Sequence, residues 1–151
     1  MPQSLSNLLA HTVFSTLDRR PFLKDRALRA ELHSYLGGIV TNLGCSPLIV
    51  GGTEDHVHLL FRLSRTSAPA AVVKELKRGS SIWLKTKKPV LKDFAWQSGY
   101  GIFSIGISEV DAVRRYIANQ EEHHRNISFQ DELRDLLKRH SLEFDERYLW
   151  D

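Results

Sequence analysis

Two histidines one residue apart, inside a run of apolar side chains, are the most chemically suggestive feature of the sequence. The run reads Asp55-His-Val-His-Leu-Leu-Phe61. Successive side chains of a β-strand point to opposite faces, so a strand here would present His56 and His58 on one face and Val57 on the other. Two imidazoles on one face can bind one divalent cation. The competing interpretation is a pair of half-exposed strand histidines without a ligand.

A working metal centre needs a third protein ligand. Tyr116 and Gln120 are four residues apart in a segment with helical periodicity, which places both on one face of a helix. A tyrosine can attack a phosphodiester if positive charge supports its phenolate, because its ordinary pKa is about 10. Such an attack would replace one phosphodiester bond by another, so a free 3′-hydroxyl could later reverse it. The competing interpretation is a partly buried tyrosine whose hydroxyl binds water or backbone.

A basic segment in the middle of the chain indicates a polyanionic partner. Residues 65–92 hold eight Lys or Arg side chains against one acid. Five residues recur at helical spacing opposite the predicted apolar side and are called here the basic stripe: Lys74, Lys77, Arg78, Ser81 and Lys85. We expect this stripe to contact phosphates, and the competing interpretation is an ordinary solvated helix face. Three nearby aromatic residues are candidates to stack on unpaired bases or to belong to the core: Trp96, Tyr100 and Phe103.

Length and composition indicate one domain. A chain of 151 residues with 42% hydrophobic content can bury its own core. We expect a single domain over 1–151, with a core from about 8 to 124 and a C-terminal helix and tail over 128–151. The lone cysteine excludes an internal disulfide and fits the cytoplasm, where we expect the protein. No segment approaches the roughly 18 apolar residues of a membrane span, so we expect no membrane partner.

Periodicity and turn residues predict the elements that must position these side chains. Strands are predicted at 8–16, 47–50, 55–63 and 100–107. The first helix is predicted at 25–43, and the second begins near Ser67 and Pro69 and ends before Pro89. The third begins with a capping box at Ser108 and runs to about His123, and a short terminal helix follows Ser128. This order is that of a ferredoxin-like or RRM-like α+β fold, an antiparallel four-stranded sheet with helices packed on one face. We expect His56 and His58 on the free face or at its edge, and the acidic tail to pack across the sheet or at a dimer contact.

Taken in order, these motifs resemble the single-tyrosine HUH transposases of small bacterial insertion sequences and their REP-associated relatives, where HUH denotes His-hydrophobic-His. The resemblance spans most of the chain. It lies in His11-Thr-Val-Phe-Ser-Thr16, the histidine run, Lys74-Glu-Leu-Lys-Arg-Gly-Ser-Ser81, Trp96-Gln-Ser-Gly-Tyr-Gly101 and Tyr116-Ile-Ala-Asn-Gln120.

The resemblance implies an HUH endonuclease fold and assigns a role to each candidate residue. His56, His58 and Gln120 would bind Mg²⁺ or Mn²⁺, and two imidazoles suit manganese better. Tyr116 would form a 5′-phosphotyrosine on single-stranded DNA whose ends carry hairpins. A homodimer is implied by the insertion-sequence members, in which the tyrosine helix can serve the partner's site, whereas REP-associated relatives can act as monomers. Gly106, before that helix, is a candidate hinge.

Other histidine chemistry fits the sequence less well. A histidine-triad hydrolase needs a third histidine where Leu60 stands, and phosphoesterases with paired His-x-Thr/Ser motifs need a second copy of His11-Thr12. The remaining alternative is a non-catalytic or domesticated single-stranded nucleic-acid-binding protein on the same fold. An RRM-type binder would carry aromatics in the strand that here carries the histidines.

Overall fold

A computed structural model describes residues 2–151 of the chain. Its strands are β1 (Leu8–Ser15), β2 (Ser46–Gly52), β3 (His56–Leu63) and β4 (Gly101–Ile105). Its helices are α1 (Arg26–Asn42), α2 (Pro69–Lys85), α3 (Val110–Ala118), α4 (Gln120–His123) and α5 (Phe129–Arg139). Single 3₁₀ turns at Leu17–Arg19, Pro89–Leu91 and Ile107–Glu109 join some of them. Within residues 2–151, no helix has the length and apolar character needed to cross a bilayer.

The four strands form one antiparallel sheet in the order β2-β3-β1-β4. With α1 after β1 and α2 after β3, this is the predicted ferredoxin-like arrangement, and the α+β fold class is confirmed. The predicted histidine ligands lie on β3, which is central in the sheet and pairs with β1. The register of the two strands sets Val13 opposite His58 and Ser15 opposite His56, so these pairs share a sheet face.

Apolar clusters lie on both faces of this sheet. On one face, Phe14, Val57 and Phe61 pack with residues of α1 and α2. On the other face, Val13 and Phe103 pack with the apolar side of α5, which consists of Phe129, Leu133, Leu136 and Leu137. The tail follows α5 onto this second face through Phe144, Leu149 and Trp150. The tail therefore packs across the sheet, one of its two predicted positions.

The expectation of a free histidine face is wrong. His56 and His58 are both 0% exposed, because α5 lies over the face from which they project. The terminal helix is strongly amphipathic in sequence, and an apolar helix side must be buried against another element. The apolar side of α5 is buried against the second face of the sheet.

Side chains cap the starts of α1 and α5, and Ser128 does so as predicted. The Asp25 carboxylate accepts hydrogen bonds from the backbone N–H groups of Ala27 and Leu28, and Ser128 Oγ accepts from that of Asp131. Ser108 does not cap. The Glu109 carboxylate instead accepts from the backbone N–H of Gly106, and α3 begins at Val110.

The predicted long helix to His123 is interrupted. Asn119, with φ −100° and ψ 22°, leaves the helical region and separates α3 from α4. Tyr116 thus stands in the last turn of α3, and Gln120 begins α4. The break divides what the four-residue spacing treated as one continuous helical face.

A close approach of backbones positions α3. A Cβ atom at Gly51 of β2 would lie 2.6 Å from the carbonyl oxygen of Ile117 in α3. No ordinary side chain fits there, so glycine is what lets α3 rest directly against the edge strand. Tyr116, next to Ile117, takes its position relative to the sheet from this contact.

Candidate active site

The predicted metal ligands lie together beneath α5. His56 Nε2 is 2.9 Å from Gln120 Oε1, and all of these side chains are buried. Two unpredicted residues join them, since one ligand atom from each of four side chains lies within 4.8 Å of the others: His56, His58, His124 and Glu132. The sheet, α4 and α5 therefore converge on one buried cluster of metal-ligating groups.

Hydrogen bonding to His56 leaves its inner nitrogen available to a cation. His56 Nδ1 is 2.7 Å from Asp55 Oδ1 and 3.0 Å from Thr53 Oγ1. Burial acts to raise the pKa of Asp55, but its bond with His56 holds it below the ordinary value, so the carboxylate accepts the Nδ1 hydrogen. The other ring nitrogen, Nε2, faces Gln120 Oε1. An imidazole nitrogen beside an amide oxygen is a donor set that fits a divalent metal.

His58 is held in a comparable way by a third histidine. His58 Nδ1 lies 2.8 Å from His11 Nε2, and the two rings stack with centroids 5.0 Å apart. Burial lowers the pKa of His58, and burial together with the nearby His58 lowers the pKa of His11 to about 3. Neutral rings at neutral pH are the form that binds a metal.

Tyr116 reaches the cluster from α3. Its ring stands edge-on to that of His58, with centroids 5.6 Å apart, and its hydroxyl donates a hydrogen bond to Glu132 Oε2. Burial raises the pKa of Tyr116 above its ordinary value, and the charge of Glu132 raises it further. The hydroxyl is protonated in this arrangement, so its use as a nucleophile requires added positive charge nearby.

Glu132 is the only buried acid of α5, and it is 2% exposed. Its Oε1 lies 2.9 Å from His58 Nε2 and 3.4 Å from His56 Nε2. Its Oε2 accepts from Gln120 Nε2 at 3.1 Å and lies 3.1 Å from His124 Nε2. Burial acts to raise the pKa of Glu132, but its contacts with His124 and His58 hold it well below the usual range. The group is a carboxylate in the middle of the cluster.

Sequence reasoning missed Glu132 although a signal was present. In α5 it follows Phe129 by three residues and precedes Leu136 by four, so it lies on the apolar side of the helix. A charge at such a position indicates a buried partner. His11 gave no comparable signal, because only the strand register brings it to His58.

The basic stripe lies on α2, which packs on the sheet face opposite the histidines. Lys77 departs from the expected solvent-facing position. Its Nζ donates to the backbone carbonyls of Gln97, Ser98 and Gly99 at 2.8, 3.1 and 2.7 Å, and burial lowers its pKa to about 8.

The other members of the stripe are less engaged. Arg78 pairs with Glu75 at 2.9 Å, Lys74 and Lys85 are exposed, and Ser81 is half-buried. Phosphate contact by these residues stays a prediction. Of the three candidate stacking residues, Trp96 and Phe103 are buried in the core, and Tyr100 is exposed.

Comparison with known proteins places this geometry in context. The family described as IS200-like transposases (Y1_Tnp) matches residues 4–120, a segment that contains the histidine pair, Tyr116 and Gln120. No curated protein matches the chain.

Two solved structures are similar in fold. A protein described as a candidate transposase from Deinococcus radiodurans R1 is 23% identical, with 80% of this chain and 95% of that chain covered and a TM-score of 0.61. A REP-associated tyrosine transposase bound to a REP hairpin is 13% identical, with 82% of this chain and 72% of that chain covered and a TM-score of 0.60. Both likenesses concern the fold. The family match over most of the chain confirms the resemblance found in the sequence, and the protein belongs to the IS200-like transposase family.

Proposed function

We propose that this transposase cleaves and rejoins single-stranded DNA through a 5′-phosphotyrosine at Tyr116, with the help of a divalent metal. The observation that carries the proposal is the convergence of a tyrosine hydroxyl with His56, His58 and Gln120 in one buried cluster. Family membership supports DNA strand transfer as the reaction class. The cluster supplies the groups that such a reaction requires.

His56, His58 and Gln120 would hold the metal, which we propose to be Mn²⁺ or Mg²⁺. The approach of His56 Nε2 to Gln120 Oε1, at 2.9 Å, supports a cation at this point. Two imidazoles favour manganese, whereas an amide oxygen suits either ion. When bound, the metal supplies positive charge for the oxygens of the scissile phosphate and for the nearby phenol.

Tyr116 would carry the covalent step. Its phenolic oxygen forms a bond to phosphorus as the bond between phosphorus and the 3′ oxygen breaks, and the proton that Tyr116 loses ends on the departing 3′ oxygen. The products are a 5′-phosphotyrosine and a strand with a free 3′-hydroxyl. The same hydroxyl, or another, can reverse the step without ATP because one phosphodiester replaces another. Burial of the cluster limits access by water and thereby favours transfer over hydrolysis.

The substrate would be single-stranded DNA with hairpin-bearing ends. One structural neighbour is a tyrosine transposase bound to a hairpin, which supports this choice. The exposed members of the basic stripe, Lys74 and Lys85, would contact phosphates away from the cleavage point.

The subunit arrangement is a separate part of the proposal. We retain a homodimer as the expected assembly, and Tyr116 beside the histidines of its own chain supports cleavage within one subunit. Light scattering on size-separated, cleavage-active protein measures the assembly. Activity confined to monomers would contradict exchange of the tyrosine helix between subunits.

An adduct assay tests the function. Labelled single-stranded DNA with a hairpin is incubated with protein and Mn²⁺, and a denaturation-resistant adduct is sought. Wild type and the control Tyr148→Phe, which changes an exposed tyrosine of the tail, should form the adduct. Tyr116→Phe should bind DNA without forming it, and His56→Ala and His58→Ala should lose cleavage.

Three other outcomes of this assay would contradict the proposal. An adduct in Tyr116→Phe would move the nucleophile to another residue. Hydrolysed product without an adduct would favour a hydrolase. Binding without cleavage by wild type would favour the non-catalytic DNA-binding protein, an alternative that the cover of α5 over the sheet face already disfavours, since such binders use an open face.

A further inference from the structure

The C-terminal helix brings one carboxylate into the candidate metal site. Glu132 is 2% exposed, and its neighbours on the helix side facing the sheet are the apolar Phe129, Leu133 and Leu136. An ionised carboxylate removed from water is costly unless it is paired or bound to a metal. Its position beyond residues 4–120 makes it a feature of this chain outside the segment that the family match covers.

One oxygen of Glu132 stands where a metal ligand would stand. In an octahedral site with bonds of about 2.1 Å, adjacent ligand atoms are about 3 Å apart. Glu132 Oε1 is 2.9 Å from His58 Nε2 and 3.4 Å from His56 Nε2. Gln120 Oε1 is likewise 2.9 Å from His56 Nε2. These separations are close to that spacing, and Glu132 belongs to a group of four side chains whose ligand atoms lie within 4.8 Å of one another.

The other oxygen of Glu132 holds the residues that act beside the metal. Glu132 Oε2 accepts a hydrogen bond from the Tyr116 hydroxyl and one from Gln120 Nε2 at 3.1 Å. The second bond turns the Gln120 amide so that its Oε1 faces His56. A single carboxylate therefore orients a ligand and the nucleophile together.

We propose that Glu132 is a protein ligand of the divalent metal through Oε1 and a positioning residue for Tyr116 and Gln120 through Oε2. This inference rests on the proposed function. A carboxylate oxygen added to two imidazoles and an amide makes the set harder and singly negative, which suits Mn²⁺ or Mg²⁺. The C-terminal helix thereby belongs to the active site.

The arrangement leaves a route for DNA. A cavity of about 420 Å³ opens beside Tyr116 and Glu132, between α3 and α5, and Arg139 and His123 also line it. A phosphate that enters there would meet the Tyr116 hydroxyl beside Glu132.

Mn²⁺ binding, measured by electron paramagnetic resonance titration of the full chain without DNA, tests the inference. Glu132→Gln keeps the shape of the side chain and removes the charge, and it should weaken Mn²⁺ binding by about tenfold or more. Glu143→Gln in the tail is the matched control, because it makes the same change of side chain at an exposed position. It should bind Mn²⁺ as wild type does. Wild-type affinity in a folded Glu132→Gln protein would overturn the inference.

Two further measurements separate this inference from the function on which it rests. If wild type fails to bind Mn²⁺, or if His58→Ala binds as well as wild type, the proposed metal site itself is wrong. If only Glu132→Gln is unaffected, Glu132 alone is excluded. Hydrogen exchange on wild type needs no substitution: Mn²⁺ should slow amide exchange in α5, and unchanged exchange there would contradict a ligand on that helix.

Discussion

His11 and His58 lie 47 positions apart in the chain, and their Nε2 and Nδ1 atoms are 2.8 Å apart on neighbouring strands. This contact uses one nitrogen of His58 and directs the other towards Glu132 and His56. The ring of His11 also stacks on that of His58, which fixes its plane. A partner that fixes tautomer and ring orientation is a usual support for a metal-binding histidine.

Replacement of His11 by Phe should weaken the metal site and preserve the fold. The substitution keeps a ring against His58 and removes its hydrogen bond, so the affinity for Mn²⁺ should fall by about tenfold. Isothermal titration with Mn²⁺ measures this change. Ser34→Ala, at an exposed position of α1, serves as the control and should leave the affinity unchanged. Equal affinities for His11→Phe and wild type would show that His58 needs no such support.

The same substitution should change how stability depends on pH. Burial and the neighbouring His58 lower the pKa of His11 from 6.5 to about 3, so the unfolded chain takes up a proton that the folded chain does not. Stability from this group is complete above pH 6.5 and is lost as the pH falls towards 3. Within this window, unfolding free energies of metal-free wild type should fall more steeply than those of His11→Phe, by about 1.4 kcal/mol per pH unit. Parallel curves would contradict a neutral buried His11.

The fold could be predicted from the sequence, as could the set of residues that meet beneath α5, because both depend on local patterns. Alternation in β3 fixed the common face of His56 and His58, and the order of elements fixed the topology. Tyr116 and Gln120 were found by spacing, although Asn119 breaks the helix between them. That interruption changes φ and ψ at one residue, and no proline or glycine marks it.

Residues whose contacts arise only through tertiary packing were harder to predict from the sequence. Glu132 enters the site only because α5 crosses the second sheet face, which local periodicity does not reveal. Lys77 has the sequence context of a solvated basic face, yet it is half-buried and its ammonium group donates to three backbone carbonyls. Long side chains of this kind combine apolar burial with a polar end, so helical spacing alone does not assign their partners.

Lys77 should prove a structural residue. Lys77→Met preserves the stem and leaves the carbonyls of Gln97, Ser98 and Gly99 without their donor, which should lower the free energy of unfolding by about 2 kcal/mol. Lys85→Met, at an exposed position of the same helix, should change it by no more than about 0.5 kcal/mol. Urea denaturation of both variants measures the difference. If Lys77→Met is as stable as Lys85→Met, Lys77 acts as a solvent-facing member of the basic stripe, as the sequence predicted.

Gly51 should be needed for the position of Tyr116, the proposed nucleophile. Its α-carbon faces the backbone of Ile117 so closely that a methyl group would lie 2.6 Å from the carbonyl oxygen. Gly51→Ala must therefore push α3 away from β2, at a cost of about 2 kcal/mol in stability. Because Tyr116 precedes Ile117 and Gln120 follows α3, the displacement should also reduce adduct formation with single-stranded DNA.

Gly38→Ala is the matched control for this substitution. Gly38 lies in the interior of α1, and a methyl group there would meet no atom within 4 Å. Alanine should raise the free energy of unfolding by about 1 kcal/mol through its greater helix propensity and leave adduct formation unchanged. Denaturation and adduct assays on both variants separate the close approach from the general effect of replacing a glycine. A Gly51→Ala protein with wild-type stability and adduct yield would mean that α3 does not depend on this contact.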